Sequence, residues 1–165
     1  YYCDTYLTPG GFACDNDGAY EFYLQELQLI DARASSMNII SEIYIGNGDE
    51  AQNAELAENC DRILLHYYRT SDVYKDGRSI YNYKRSRIAS IAASTRMPAV
   101  MPIFSARSFH LGPWLETHPI TQPYDTWLNG VQGYEEDKDA ENLKIAGYQW
   151  YRYTDLKSIP ASDSE

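Results

Sequence analysis

The stretch CDRILLHYYRTSD, residues 60–72, sets Ile63, Leu65 and Tyr67 against Leu64, His66 and Tyr68 by strict alternation. A period of two is the signature of a β-strand whose neighbours point to opposite faces. One of these faces is apolar throughout, and the other turns polar toward its end. Strands of an open doubly wound sheet are usually apolar on both faces, whereas the lumen of an enzyme-type barrel needs one face that becomes polar near the strand ends. The preceding run, IISEIYIG at 39–46, repeats the pattern, with Ile39, Ile43 and Ile45 separated from Glu42 and Tyr44.

Outward from these two strands the chain alternates. Tyr23, Leu24, Leu27, Ile30 and Ala34 fall at helical spacing and predict a helix over 19–35, with Asp15 or Asp17 to cap it. Gly46, Asn47 and Gly48 mark a turn, and EAQNAELAENC predicts a short surface helix. A helix over 78–94 precedes MPAVMPIFSAR, a third apolar run, and then a long loop, SFHLGPWLETHPITQP. Residues 123–146 read as helix interrupted near Gly130 and Gly133, GYQWYRYTDL as the last strand, and YYCDTYL as the first. Residues 1–157 form one expected β/α domain, and 158–165 a flexible polar tail. Alternating β/α units imply an α/β fold with parallel strands and helices packed outside them. The closure is either part of a TIM barrel, about five strands of it, or an open parallel sheet; no G-x-G-x-x-G turn follows any strand.

At 165 residues the chain suits one domain. With 14 Lys and Arg against 24 Asp and Glu, its formal charge of −10 disfavours nucleic acid and anionic membrane surfaces. No run of about 18 apolar residues predicts membrane insertion. Sixteen tyrosines and three tryptophans against four phenylalanines either line half-wet surfaces that grip sugars or extended peptides, or replace Phe at the edges of a core. Cys3 and Cys14 bracket a Gly- and Pro-containing loop that a disulfide would close, leaving Cys60 free; separate thiols are the alternative. His110 and His118 flank Glu116 at spacings of six and two, unlike the i, i+4 spacing of helical zinc ligands, so no metal is expected. Neither a P-loop nor a nucleophile elbow is found, and no cofactor is called for.

The strand endings EIYIGN, ILLHYYRT, MPIFSAR and GYQWYRYTDL, in that order, resemble the C-terminal half of a glycoside-hydrolase-like (β/α)8 barrel, roughly its fourth to eighth strands. The resemblance implies a carbohydrate ligand, an extracellular or cell-surface setting, and first strands supplied by a missing N-terminal barrel segment or a partner chain. The D-x-x-D-x-D-x-E motif of the chitinase-like branch is not present, YYCDTYL offering Asp4 alone, and MPIFSAR ends on Ser105 where another branch has glutamate. A sugar hydrolase needs two carboxyl groups about 5 to 5.5 Å apart for retention. Asp4 and Glu42, on neighbouring expected strands, are the candidate pair, with His66 as acid, base or holder of a carboxylate. Tyr44, Tyr68, Tyr151 and Tyr153 are candidate hydrogen-bond donors, Trp114 and Trp150 candidate stacking platforms, and Arg69 and Arg107 candidate anion contacts. The structural alternative for Glu42 is a pairing with His66 or an arginine in a buried network. The competing functional expectations are a non-catalytic glycan-binding or surface-assembly module that has lost the acids, and an open α/β domain that binds a small ligand at its strand ends.

Overall fold

The structure is a computed structural model, and it describes residues 11–14, 20–45, 49–74, 77–132, 143–157 and 159. Helices and strands alternate, and every strand is parallel to its neighbours. Strand β1 (Gly11–Cys14) leads to α1 (Tyr20–Ser36), β2 (Glu42–Ile45), α2 (Glu50–Ala57) and β3 (Arg62–Tyr67). After a 3₁₀ turn at Ser71–Tyr74 come α3 (Gly77–Ala92), β4 (Ala99–Ser105), α4 (Gly112–Leu115), α5 (Gln122–Gln132), β5 (Gln149–Tyr151) and α6 (Tyr153–Lys157).

The spatial order of the strands is their order along the chain, β1-β2-β3-β4-β5. Parallel crossovers are right-handed almost without exception, so a sheet wound in this order places all its helices on one face. Contacts of α1 with α2, of α2 with α3 and of α3 with α5 follow that single layer. Ile43, Ile45, Ile63, Leu65, Tyr67, Val100 and Phe104 face it and are buried. Trp127 and Val131 of α5, Ile80, Ile88 and Ile91 of α3, and Leu27 of α1 close the core from outside. The winding therefore differs from a doubly wound sheet, and β1 and β5 are the edges of the described sheet.

Local chemistry sets the element ends. In α1 the amide of Ile39 donates to the Ala34 carbonyl at 3.0 Å and that of Asn38 to Ser35 at 3.2 Å, while Asn38 takes φ 56°. This is a Schellman ending, with asparagine in the left-handed position it tolerates better than most residues. That turn corrects the expected span of β2. The chain is still leaving the helix at Ile39 and Ile40, which are exposed, and the strand begins only at Glu42. Helix α2 starts on a capping box: Gln52 N–H donates to Asp49 Oδ1 at 2.9 Å, and Asp49 N–H to Gln52 Oε1 at 3.0 Å.

Three further expectations change. The strand beside β2 is Gly11–Cys14, inside the segment read as a possible disulfide loop; YYCDTYL lies outside the described residues. Gly130 lies buried within α5 and does not interrupt it, while Gly133 is outside the described residues. Residues 144–146 are extended, not helical, because Val100 claims their backbone: its amide donates to Lys144 O at 2.7 Å, and Ala146 N–H donates to its carbonyl at 2.9 Å.

That last segment carries a bulge. Val100 pairs with Ile145 and Ile103 with Gln149, so three steps along β4 face four along its partner. Gly147 stands in the interval at φ 93°, a conformation that suits glycine. One extra residue reverses the alternation: Ile145, Tyr148 and Trp150 all pack against the helix-side core. Beyond the short α6, Ile159 also packs there, within the stretch expected to be a free tail.

Candidate functional site at the carboxyl ends of the strands

The other face of the sheet is ordered in rows by the strand register. Glu42 and Arg62 are level with Ala99; Tyr44 and Leu64 with Met101; His66 and Ile103 with Gln149. At the carboxyl ends Ser105 is paired with Tyr151, and Tyr68 follows the Tyr67–Phe104 pair. In parallel α/β sheets this end is where loops diverge and ligands bind.

Aromatic rings gather there. His66 and Tyr68 have centroids 3.9 Å apart, Tyr44 lies 6.0 Å from His66, and Tyr151 lies 4.9 Å from Tyr68. Tyr68 and Tyr151 come from strands separated by β4, so their rings meet across the row occupied by Ser105, whose small side chain leaves room. His110 joins at 5.8 Å from Tyr68, Phe109 lies 4.5 Å from His110, and the Arg107 guanidinium sits 4.4 Å from the Phe109 centroid. The result is a continuous row of rings ending in a cation.

The loop after β4 builds the cationic end. Leu111 N–H returns to the Ser105 carbonyl at 3.2 Å, and the amides of His110 and Gly112 both donate to Arg107 O, at 2.8 and 3.1 Å. A Cβ at Gly112 would stand 2.7 Å from Ala106 O and 2.9 Å from Arg107 O, so this tight return needs glycine for space. His110 Nδ1 is thereby placed 2.8 Å from Ser105 Oγ. Burial, then the charge of Arg107, lowers the pKa of His110. At neutral pH its imidazole is accordingly neutral and able both to donate and to accept.

The structure assembles Tyr44, His66, Tyr68 and Tyr151 and places Arg107 beside them. Arg69 is exposed just past β3. Trp150 does not belong to the mouth: it pairs with Phe104, with ring centroids 5.8 Å apart, on the helix side. Trp114 stacks on His118 at 4.1 Å and packs against the core, and the His118 Nδ1–H donates to the Trp114 carbonyl at 2.8 Å. Tyr153 begins α6 and does not extend the last strand. Asp4 lies outside the described residues.

Glu42 is separated from the cluster by position. It opens β2, level with Arg62, whose Nε donates to its Oε2 at 2.8 Å and whose terminal nitrogen bonds the same oxygen. His66 is four residues further along β3, about 13 Å at the usual strand rise. The Glu42 carboxylate is held by Arg62 at the amino end of the two strands, one row before Tyr44 and two before His66.

His110, Ser105 and Phe109 are the members of the site that the sequence reading did not join. In the sequence His110 invites only a comparison with metal spacing; among the described residues no group of three or more His, Cys, Asp or Glu is placed to hold an ion. The legible signal was a strand ending on a small polar residue, followed within seven positions by the Gly112-Pro113 helix start. Cys60 is a free thiol in the core, and burial pushes its pKa up to about 12, which makes it inert.

The class these features define is a parallel α/β protein wound in one direction, with a cluster of aromatic rings at its strand carboxyl ends. No protein-family model, no curated protein and no solved structure matches the chain. Among the described residues no helix is long and apolar enough to cross a membrane.

Proposed function

We propose that the row of rings formed by Tyr44, His66, Tyr68, Tyr151 and His110 is a carbohydrate-binding site in part of a glycoside-hydrolase-like barrel. The carrying observation is the clustering of these amphipathic rings on the face away from the helices, at the carboxyl ends of the strands. Rings with polar tips offer a sugar both a flat apolar surface and hydrogen-bond partners. Closure of the barrel belongs to the same proposal: strands from outside the described sheet, or from a partner chain, continue the winding from its two edges. The setting that goes with such a ligand is the cell surface or the extracellular space.

Binding without hydrolysis is the version the geometry favours, because Glu42 is ion-paired at the far end of β2. Titration of a panel of soluble oligosaccharides, followed by calorimetry, tests the site. Tyr68→Ala is expected to weaken binding about ten-fold, the loss of a ring contact worth about 1.4 kcal/mol. Unchanged affinity in that variant would remove the cluster from the proposal. Reducing-end release at the same rate by the native chain and by Glu42→Gln is the companion expectation; a rate lost in the variant would restore Glu42 to a catalytic role.

A further inference from the structure

The row of rings is not symmetric. It ends at Arg107, and among the described residues no carboxylate pairs with that side chain, although Asp and Glu outnumber Lys and Arg by 24 to 14. By contrast Arg62, Arg96 and Arg152 each hold a carboxylate within 4 Å. The Arg107 guanidinium carbon lies over the Phe109 ring, 4.4 Å from its centroid. A cation held over a ring is positioned by it, and a guanidinium keeps N–H donors that can meet a carboxylate through two parallel bonds. Its charge is felt within the site, since it helps lower the pKa of His110.

We infer that Arg107 selects an acidic sugar, a uronate or another carboxylate-bearing glycan, whose ring lies along Tyr68 and His110 while its carboxylate meets the guanidinium. The inference rests on the carbohydrate reading above. An overall charge of −10 repels acidic ligands at a distance, so discrimination has to come from this short-range contact, not from the field of the whole chain.

Calorimetric titration with a glucuronate-containing tetrasaccharide and its neutral glucose counterpart, at one ionic strength, separates the two levels. The acidic sugar is expected to bind about ten-fold more tightly, the scale of one charge-assisted bidentate contact. Arg107→Gln is expected to bring that ratio close to one, and Arg107→Lys, which keeps charge but loses the fork, to leave it intermediate. Equal affinities in the native chain, or a ratio untouched by Arg107→Gln in a variant with native circular dichroism, would overturn acid selection and leave sugar binding standing. If neither sugar binds, both readings fall together. Equal competition by an acidic tetrapeptide would reassign the contact to a protein ligand and overturn the inference.

Discussion

The two ends of the sheet are built from opposite materials. At the amino ends of the strands, among the described residues, charged groups are held in pairs. Arg96 holds Asp31 through both guanidinium nitrogens at 2.6 and 2.7 Å and reaches Asp61 at 2.7 Å. Ser41 N–H donates to Asp61 at 2.9 Å, and its hydroxyl bonds Asp31. Thr95 closes on Glu58 through its amide and hydroxyl, both at 2.6 Å, and Arg62 closes on Glu42. These contacts tie the end of α1, the starts of β2 and β3 and the α3–β4 turn into one belt. At the carboxyl ends the aromatic rings lie in a row, and the Arg107 guanidinium lies over Phe109. A belt of ion pairs contributes to holding a fold, and in barrel-type folds the amino ends of the strands are the stabilising end while the carboxyl ends carry the loops.

The comparison breaks most readily at the belt. Arg96→Met leaves the Asp31 and Asp61 carboxylates facing each other without a cation, and a loss of about 2 kcal/mol is expected, between the values for buried and for exposed pairs. Urea unfolding measures it, and sugar affinity should not move. An equal loss of affinity would show that the two ends are coupled. The belt also has an acid sensitivity: burial alone would raise the Asp61 carboxyl, but hydrogen bonds from Ser41 and Arg96 outweigh it and leave the pKa lowered. The stability this lends is present above the ordinary carboxylate range and is lost as pH falls through the lowered value.

A smaller effect is expected at the bulge. Gly147→Ala meets no atom within 4 Å, so its cost is conformational only, about 1 kcal/mol for a side chain at φ 93°. A thermal melt reads it; no change would mean that the strand can run through position 147 in another conformation. The smallest effect is a titration. By NMR, His110 in the native chain should show a midpoint below the ordinary histidine value. Arg107→Gln should raise it without restoring it fully, because burial is the larger cause and remains. A midpoint that does not respond would place the guanidinium away from the ring.

The strand of residues 62–67 was fully legible, because alternation alone assigns Ile63, Leu65 and Tyr67 to the helix side and Leu64, His66 and Tyr68 to the other. The parallel order of β/α units followed from element spacing in the same way. What could not be read depended on register and on loops. Glu42 lies on the correct face, but its row is fixed by where β2 begins, and that depends on a Schellman turn closed by backbone bonds. His110 reaches Ser105 through a return whose tightness lies in carbonyl positions that no residue type announces. Trp150 and Tyr151 are both read as mouth residues, although neighbours on a strand face opposite ways; the register with β4 sends Trp150 to the helix side and Tyr151 to the other.

That extra residue acts as a phase shift in the chain. Downstream of Gly147 the strand presents Tyr151 to the face away from the helices and commits Trp150 to the core; deleting one residue there would exchange the two. The composition of the site would then change by a length variation some four positions away, with no substitution among the rings themselves. Which ring this face carries is thus encoded partly in residue count, and homologous chains differing by one residue before the last strand would be expected to carry a tryptophan where this one carries a tyrosine.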